Sequence, residues 1–162
     1  MITPVYLVEE LKNLAEKVVK NYFLETKKEN FRKPPQVVTG YLPPKQPRYK
    51  GDSDDEILDF PFVIVRLVKG TDAQQSATAV VKFIIGTYSE ETTEGWKDVA
   101  SIIERIRQEL CKKYIIGKRY QLEKPIQWEM PEEQPFPQWI GIMTTTWVVA
   151  QVIPEVDLFE EG

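Results

Sequence analysis

The side chains able to do chemistry are few, and the first question is what each group of them would do. Asp52-Ser53-Asp54-Asp55-Glu56 gathers four carboxylates, the donor type that hard cations such as calcium take. The run has no glycine at its sixth position and no glutamate at its twelfth, so it does not match the helix–loop–helix calcium pattern and reads as a solvated acidic loop. Glu90, Glu91 and Glu94 precede an amphipathic stretch and would suit acid–base work as a carboxylate pair. With no histidine, no metal-ligand spacing and no glycine-rich phosphate loop beside them, they read as charges complementary to a helix N-terminus. Lys27, Lys28, Arg32 and Lys33, with Phe31 among them, form a small basic cluster that would meet a few phosphates or an acidic partner. The plainer reading is a solvated charge run at the end of a helix.

Two counts narrow the chemistry further. The 162 residues contain no histidine, which removes the commonest general base, the commonest transition-metal ligand and every Ser/His or Cys/His nucleophile pair. The single cysteine, Cys111, excludes an intramolecular disulfide framework and a multi-cysteine zinc site, and it reads as a small inert hydrophobe. The sequence therefore points away from an enzyme and gives no candidate for a metal or cofactor site. Net charge is -4, against a dedicated nucleic-acid binder held by a basic surface. The 42% hydrophobic and 28% charged residues are ordinary for a soluble globular chain. The length suits one domain over 1–162 that buries roughly two thirds of its unfolded surface. The first residues carry no basic segment followed by an apolar core and are spaced along a helix, which predicts neither a signal peptide nor a membrane span.

These groups hang on elements that the hydrophobic period makes visible. The stretch 77–110 changes period once. Ala77, Ala79, Val81, Phe83 and Ile85 alternate as a strand with one face on a core, residues 87–95 read as a turn, and Val99, Ile102, Ile103, Ile106 and Leu110 follow at helical steps. Trp96 falls on that stripe and is expected to pack in the core, whereas Trp139 and Trp147, on one parity of the last strand, are open between a ligand cage, interface anchors and core. Before this unit, Thr3-Pro4 opens a predicted helix over 5–24, with Val8, Leu11, Leu14, Ala15, Val18, Val19 and Phe23 on one side. Gln36 to Tyr41 offers a short strand, and 42–56 reads as an exposed arm. Residues 61–69 and 77–88 form a hairpin whose second face, with Phe62, Ile64 and Val68, is too apolar to be fully wet. Short strands are expected at 120–122 and 126–130, a proline-rich loop at 131–137, and a last strand over 138–152 with Gly141 as a bulge or close-approach point. The acidic tail 154–162 is expected to fray. Together these predict an α+β fold (an α/β sandwich): a mixed, mainly antiparallel sheet with two main helices packed on one face.

VVTGYLPPK, FIIGTYSEETTEGWKDVASIIERIRQEL and PFPQWIGIMTTTWVV, together with the amphipathic N-terminal helix, resemble the tail terminator and tail-completion proteins of tailed bacteriophages and prophages. The likeness is centred on 86–110, where Gly86, Tyr88, Gly95, Trp96, Asp98 and the helix stripe carry it. It implies a structural protein that forms a ring, commonly a hexamer, on the end of the tail tube, stops tube polymerisation and offers a docking surface to head and neck proteins. DNA would pass through an acidic lumen without specific binding, and the working place would be the virion tail after assembly in the bacterial cytoplasm. Exposure and composition place the contacts on Tyr41, Pro43, Pro44, Lys45, Arg48 and Tyr49 of the arm and on Pro135, Phe136 and Pro137. Another head–tail connector or neck protein, or a small binding module for nucleic acid or an acidic ligand, are the alternative readings.

Overall fold

A computed structural model describes residues 3–41 and 59–155. The expected arm therefore lies outside the described residues except for its flanks, as does the tail beyond Glu155. The elements run α1 (Pro4–Val19), β1 (Leu24–Glu25), β2 (Arg32–Lys33), β3 (Gln36–Thr39), β4 (Phe62–Asp72), β5 (Ala77–Tyr88), α2 (Trp96–Lys112), β6 (Ile115–Ile116), β7 (Tyr120–Glu129) and β8 (Gln138–Val149). β1 and β2 form a separate small hairpin, and the other six strands form one sheet in the order β3-β4-β5-β8-β7-β6. Only β3–β4 is parallel. The fold is α+β, with both helices on one face of a mainly antiparallel sheet.

The sheet's centre is the twelve-residue pairing of β5 with β8, unbroken from Ala77↔Val149 to Tyr88↔Gln138. Odd-numbered residues of both strands face the helices, so Val81, Phe83, Ile85, Met143 and Trp147 are buried against Val99, Ile102, Ile103, Ile106 and Leu110 of α2. α1 covers the β3–β4 side with Leu7, Leu11, Leu14, Ala15 and Val19. Its Thr3 sits in the expected N-cap place with extended backbone and Pro4 behind it, but the Thr3 side chain makes no cap bond. The Thr3 carbonyl instead accepts from Tyr6 N and from Tyr120 Oη at 2.6 Å, tying the helix start to β7.

Gly141 is the close-approach point. A Cβ there would lie 2.5 Å from Val99 Cγ1 and 2.8 Å from Ile103 Cδ1, so the missing side chain is what lets α2 reach the sheet, and no bulge occurs at this place. Gly95 repeats the device at the start of α2, where a Cβ would lie 2.5 Å from the Trp139 indole.

Four local expectations change. α1 stops at Val19 rather than 24, because Leu24 pairs with Lys33 in the β1–β2 hairpin, leaving Phe23 exposed. Trp96 is 44% exposed. It stands at the first turn of α2, beyond the reach of the sheet, and its indole N–H donates to Thr93 O at 3.1 Å. A register shift between Leu67 and Lys69 leaves Val68 without a partner in β5, so the alternation of β4 does not continue to its end. The two short strands predicted after α2 are one strand, β7, in which a four-residue step (Glu123 to Gln127) lies opposite a two-residue step of β8 (Thr146 to Thr144). Pro125, which has no N–H to give a ladder, sits in that interruption.

Two buried threonines respond oppositely to loss of the hydroxyl. Thr145 Oγ1 donates to Val81 O and accepts from Trp147 Nε1, both at 2.8 Å, so Thr145→Val leaves two buried groups unpaired and is expected to cost about 1–3 kcal/mol in urea unfolding. Thr87 Oγ1 is buried with no partner among the described residues, so Thr87→Val is expected to be neutral or stabilising in the same experiment. Gly141→Ala is expected to cost roughly 1–3 kcal/mol through overpacking, and Val99→Ala in the same chain to recover part of that loss.

Candidate interaction surfaces

The residues that composition marked for contact fall into two separate places. Tyr41 follows β3 and lies along the β4 edge, held by its hydroxyl to Leu67 O at 3.3 Å and by the Arg66 guanidinium 4.4 Å above its ring. Arg66 Nε also donates to Gly40 O at 3.2 Å, so the side chain fastens the outgoing chain to the sheet. Pro43, Pro44, Lys45, Arg48 and Tyr49 lie outside the described residues.

Pro135, Phe136 and Pro137 stand at the opposite end of the strands, before β8. Gln134 organises this turn: its side-chain amide accepts from Ile140 N at 2.7 Å and donates to Pro131 O at 2.7 Å and Ile140 O at 3.1 Å. Pro137 O accepts from Ser89 N, and Ser89 O accepts from the Trp139 indole at 3.1 Å. Phe136 is half exposed and meets Trp139 edge-on at 6.1 Å. Leu67, beside Tyr41, is level with Val81 in β5, and the Phe136 loop begins beyond Tyr88. Seven residues of strand separate those levels, about 23 Å at the usual rise, so Tyr41 and the 135–137 turn do not share one patch.

What the 135–137 turn does share is an aromatic end of the molecule that the sequence did not announce. Phe136 meets Trp139 edge-on, Trp139 lies under Gly95, and Gly95 leads into the exposed Trp96. The signal was present in Gly95-Trp96, but the helical period assigned Trp96 to the core.

The charged groups weighed for catalysis are dispersed by the fold. Glu90 accepts from Tyr88 Oη at 3.1 Å, which together with burial, the larger cause, raises the Tyr88 phenol above its ordinary value. Glu94 pairs with Lys97, and Glu91 contributes its backbone carbonyl to Gly95 N. All three side chains are exposed. Asp98, in the first turn of α2, is half buried, and burial foremost, with Glu25 adding, raises its carboxyl against the opposing pull of Arg32. The basic cluster lies on the β1–β2 hairpin rather than on a helix end. Lys27 pairs with Asp59 at 3.5 Å, Arg32 approaches Glu25 at 3.9 Å, and Lys28 sits 5.9 Å from the Phe31 ring centroid. Among the described residues no group of three or more Asp, Glu, His or Cys side chains is placed to hold a metal ion. No described helix is long and apolar enough to cross a membrane. Cys111 is partly buried near the end of α2. Trp147 is fully buried and belongs to the core, and Trp139 is a core residue at the aromatic end, which closes the alternatives left open for both.

The outer face of the sheet, opposite the helices, carries a further set of apolar positions. Val38, Ile64, Ile84 and Ile142 are neighbours in one cross-strand row. Ile64 is buried and the other three are partly exposed. The next row holds Arg66, Lys82, Thr144 and Gln127.

On the helix side, Glu104 takes a two-point bond from Arg107, whose guanidinium lies 5.6 Å from the Trp128 ring centroid on β7. The Arg107 bond, aided by Gln108, lowers the Glu104 carboxyl from 4.5 to about 2. A carboxyl held below its unfolded value adds stability that is present above pH 4.5 and is lost as pH falls toward 2. The pair is solvent-facing, so its effect on global unfolding is small. A carboxyl-observed NMR titration is expected to find Glu104 near 2 in the native chain and back in the ordinary glutamate range in Arg107→Ala. A titration near 4.5 in the native chain would remove the assigned bond.

No protein-family model matches this chain, and no curated protein sequence matches it.

Proposed function

We propose that this chain is a non-enzymatic structural protein of a phage or prophage tail, which closes into a ring on the end of the tail tube. On this reading the ring, a hexamer on the tail, hides the surface that the next tube subunit needs and so ends polymerisation. Its far side receives head and neck connector proteins, and DNA passes through the lumen without specific binding. The chain acts in the virion tail, is assembled there from the bacterial cytoplasm, and uses no cofactor and no membrane.

The observation that carries the reading is the 86–110 unit. The residues on which the resemblance is centred make one physical piece: the end of β5, the loop holding Ser89 against Pro137, and α2 seated on the sheet through Gly95 and Gly141. Around it stands the α+β frame that the resemblance implies. A surface of mixed contacts also supports it, with an aromatic end at Trp96 and Phe136, an edge aromatic at Tyr41 and an outer sheet face with apolar positions. A head–tail connector of the same assembly class fits these features equally well in kind. The small nucleic-acid module is less well supported, because Lys27 and Arg32 of the basic hairpin already face Asp59 and Glu25.

The deciding experiment is absolute mass in solution over a concentration series, with negative-stain images of the heaviest species and of the chain mixed with its cognate tail tubes. Rings with a central hole, or density at one tube end only, are the expected results. A chain that neither forms rings nor binds tube ends would overturn the capping reading. Steep salt dependence of DNA binding would then favour the binding-module alternative.

A further inference from the structure

The sheet's outer face has a charge arrangement that the capping reading does not use. Both helices pack on the opposite face; of the described residues, Phe60 turns onto the outer one beside Phe62 at Gly86, near one end, and Tyr41 meets Arg66 at the β4 edge. Across the rest, the rows run through β4, β5, β8 and β7. The middle row is Arg66, Lys82, Thr144 and Gln127. One step along is Ile64, Ile84, Ile142 and Glu129, and one step the other way Val80 and Thr146 lead to Glu123. The cations thus lie on β4 and β5, the carboxylates on β7 at the far side, and Ile84 and Ile142 at the centre. Glu123, Gln127 and Glu129 are exposed, while Lys82, Ile84, Ile142 and Thr144 are partly so.

We infer that this face is the contact between two copies of the chain, stacked sheet on sheet about a two-fold axis that runs parallel to the strands between β5 and β8. The charge pattern selects both the occupant and the axis. Rotation about that axis keeps each row level and exchanges β4 with β7 and β5 with β8. Ile84 of one copy then lies over Ile142 of its mate, and Arg66 lies over Gln127, between Glu123 and Glu129. Lys82 meets the same acidic edge one strand over. A two-fold axis across the strands would set β4 on β4 and β7 on β7, cation on cation and carboxylate on carboxylate, which is repulsive. The chosen arrangement is that of two aligned sheets packed face to face, with an apolar centre and a charged rim. Four strands by five rows cover roughly 20 Å by 30 Å at ordinary sheet spacing. That footprint, about 600 Å² before side-chain relief is counted, is close to the roughly 800 Å² per partner of a stable interface. The contact is self-complementary and closes on itself, so it does not rest on the tail-capping reading.

Sedimentation equilibrium of the full chain, without tubes, tests it. The native chain is expected at twice its 18.9 kDa mass at high concentration. Lys82→Glu and, separately, Glu129→Lys are each expected to weaken the dimer about tenfold or more, and the double variant to recover most of that loss, as paired charges do. Circular dichroism establishes that each variant is folded; Glu129→Lys, on an exposed edge strand, serves where Lys82→Glu is not. An assembly larger than a dimer supports the contact if the single reversals break it and the double restores it. A chain that is monomeric throughout, including one whose own residues cover this face, overturns the proposal. So does an assembly indifferent to both reversals, or a double variant no better than the singles. A charge-sensitive dimer that binds no tube would sink the capping reading alone, and tube capping indifferent to the reversals would sink this contact alone.

Discussion

The structure depends on the close seating of α2 against β8. A helix can lie on a sheet at short range only where side chains make room, and here room is made by absence: Gly141 beneath Val99 and Ile103, and Gly95 above Trp139. Because those contacts bring the helix down, Ile102, Ile106 and Leu110 reach the inner row of Phe83, Met143 and Trp147 and lose all exposure. The β5–β8 pairing supplies the platform. Its twelve matched positions fix which residues of both strands face the helices, since a slip by one would turn the entire set outward.

The same seating sets what the surface can do. With both helices on one side, the apolar residues of the other parity remain on the outer face. The sheet has no second helical layer among the described residues to cover them. At the strand ends, Trp139 fills the space under Gly95, and Trp96, one residue on, is carried past the sheet. The aromatic end therefore follows from how the core is closed. The polar groups that this closure buries are mostly matched, as in the Trp147–Thr145–Val81 chain and the Trp139–Ser89–Pro137 connection.

Charge plays a different part. The pairs Glu94–Lys97, Glu104–Arg107 and Glu109–Lys113 run along α2 at helical spacing and face solvent, where each contributes little to folding. Their use is to keep that side of the helix wet. On the outer face, Arg66 and Lys82 stand on β4 and β5 and Glu123 and Glu129 on β7, separated by strand instead of paired within one helix.

Much was legible in sequence wherever one physical rule acted locally. Period two over 77–88 and period three to four over 96–110 located β5 and α2, and Gly141 was legible as a bulge or a close-approach point, of which the structure has the second. Signals failed where a distant pairing outranked a local period. Helical spacing continued through Phe23, yet the pairing of Leu24 with Lys33 ended α1 at Val19. Helical spacing also placed Trp96 in the core, yet the sheet stops short of that turn. Tyr41 and Phe136 were grouped by composition, and strand register put them at different levels of the sheet. The sequence by itself determined the types of the two helices and the long strands, the buried parity of the central strands and the lack of histidine chemistry, because each follows from residue identity and spacing along the chain. Only the tertiary structure decided strand order, the aromatic end and the division of charge across the outer face. Those depend on which strands become neighbours, and β8, last in the chain, lies between β5 and β7.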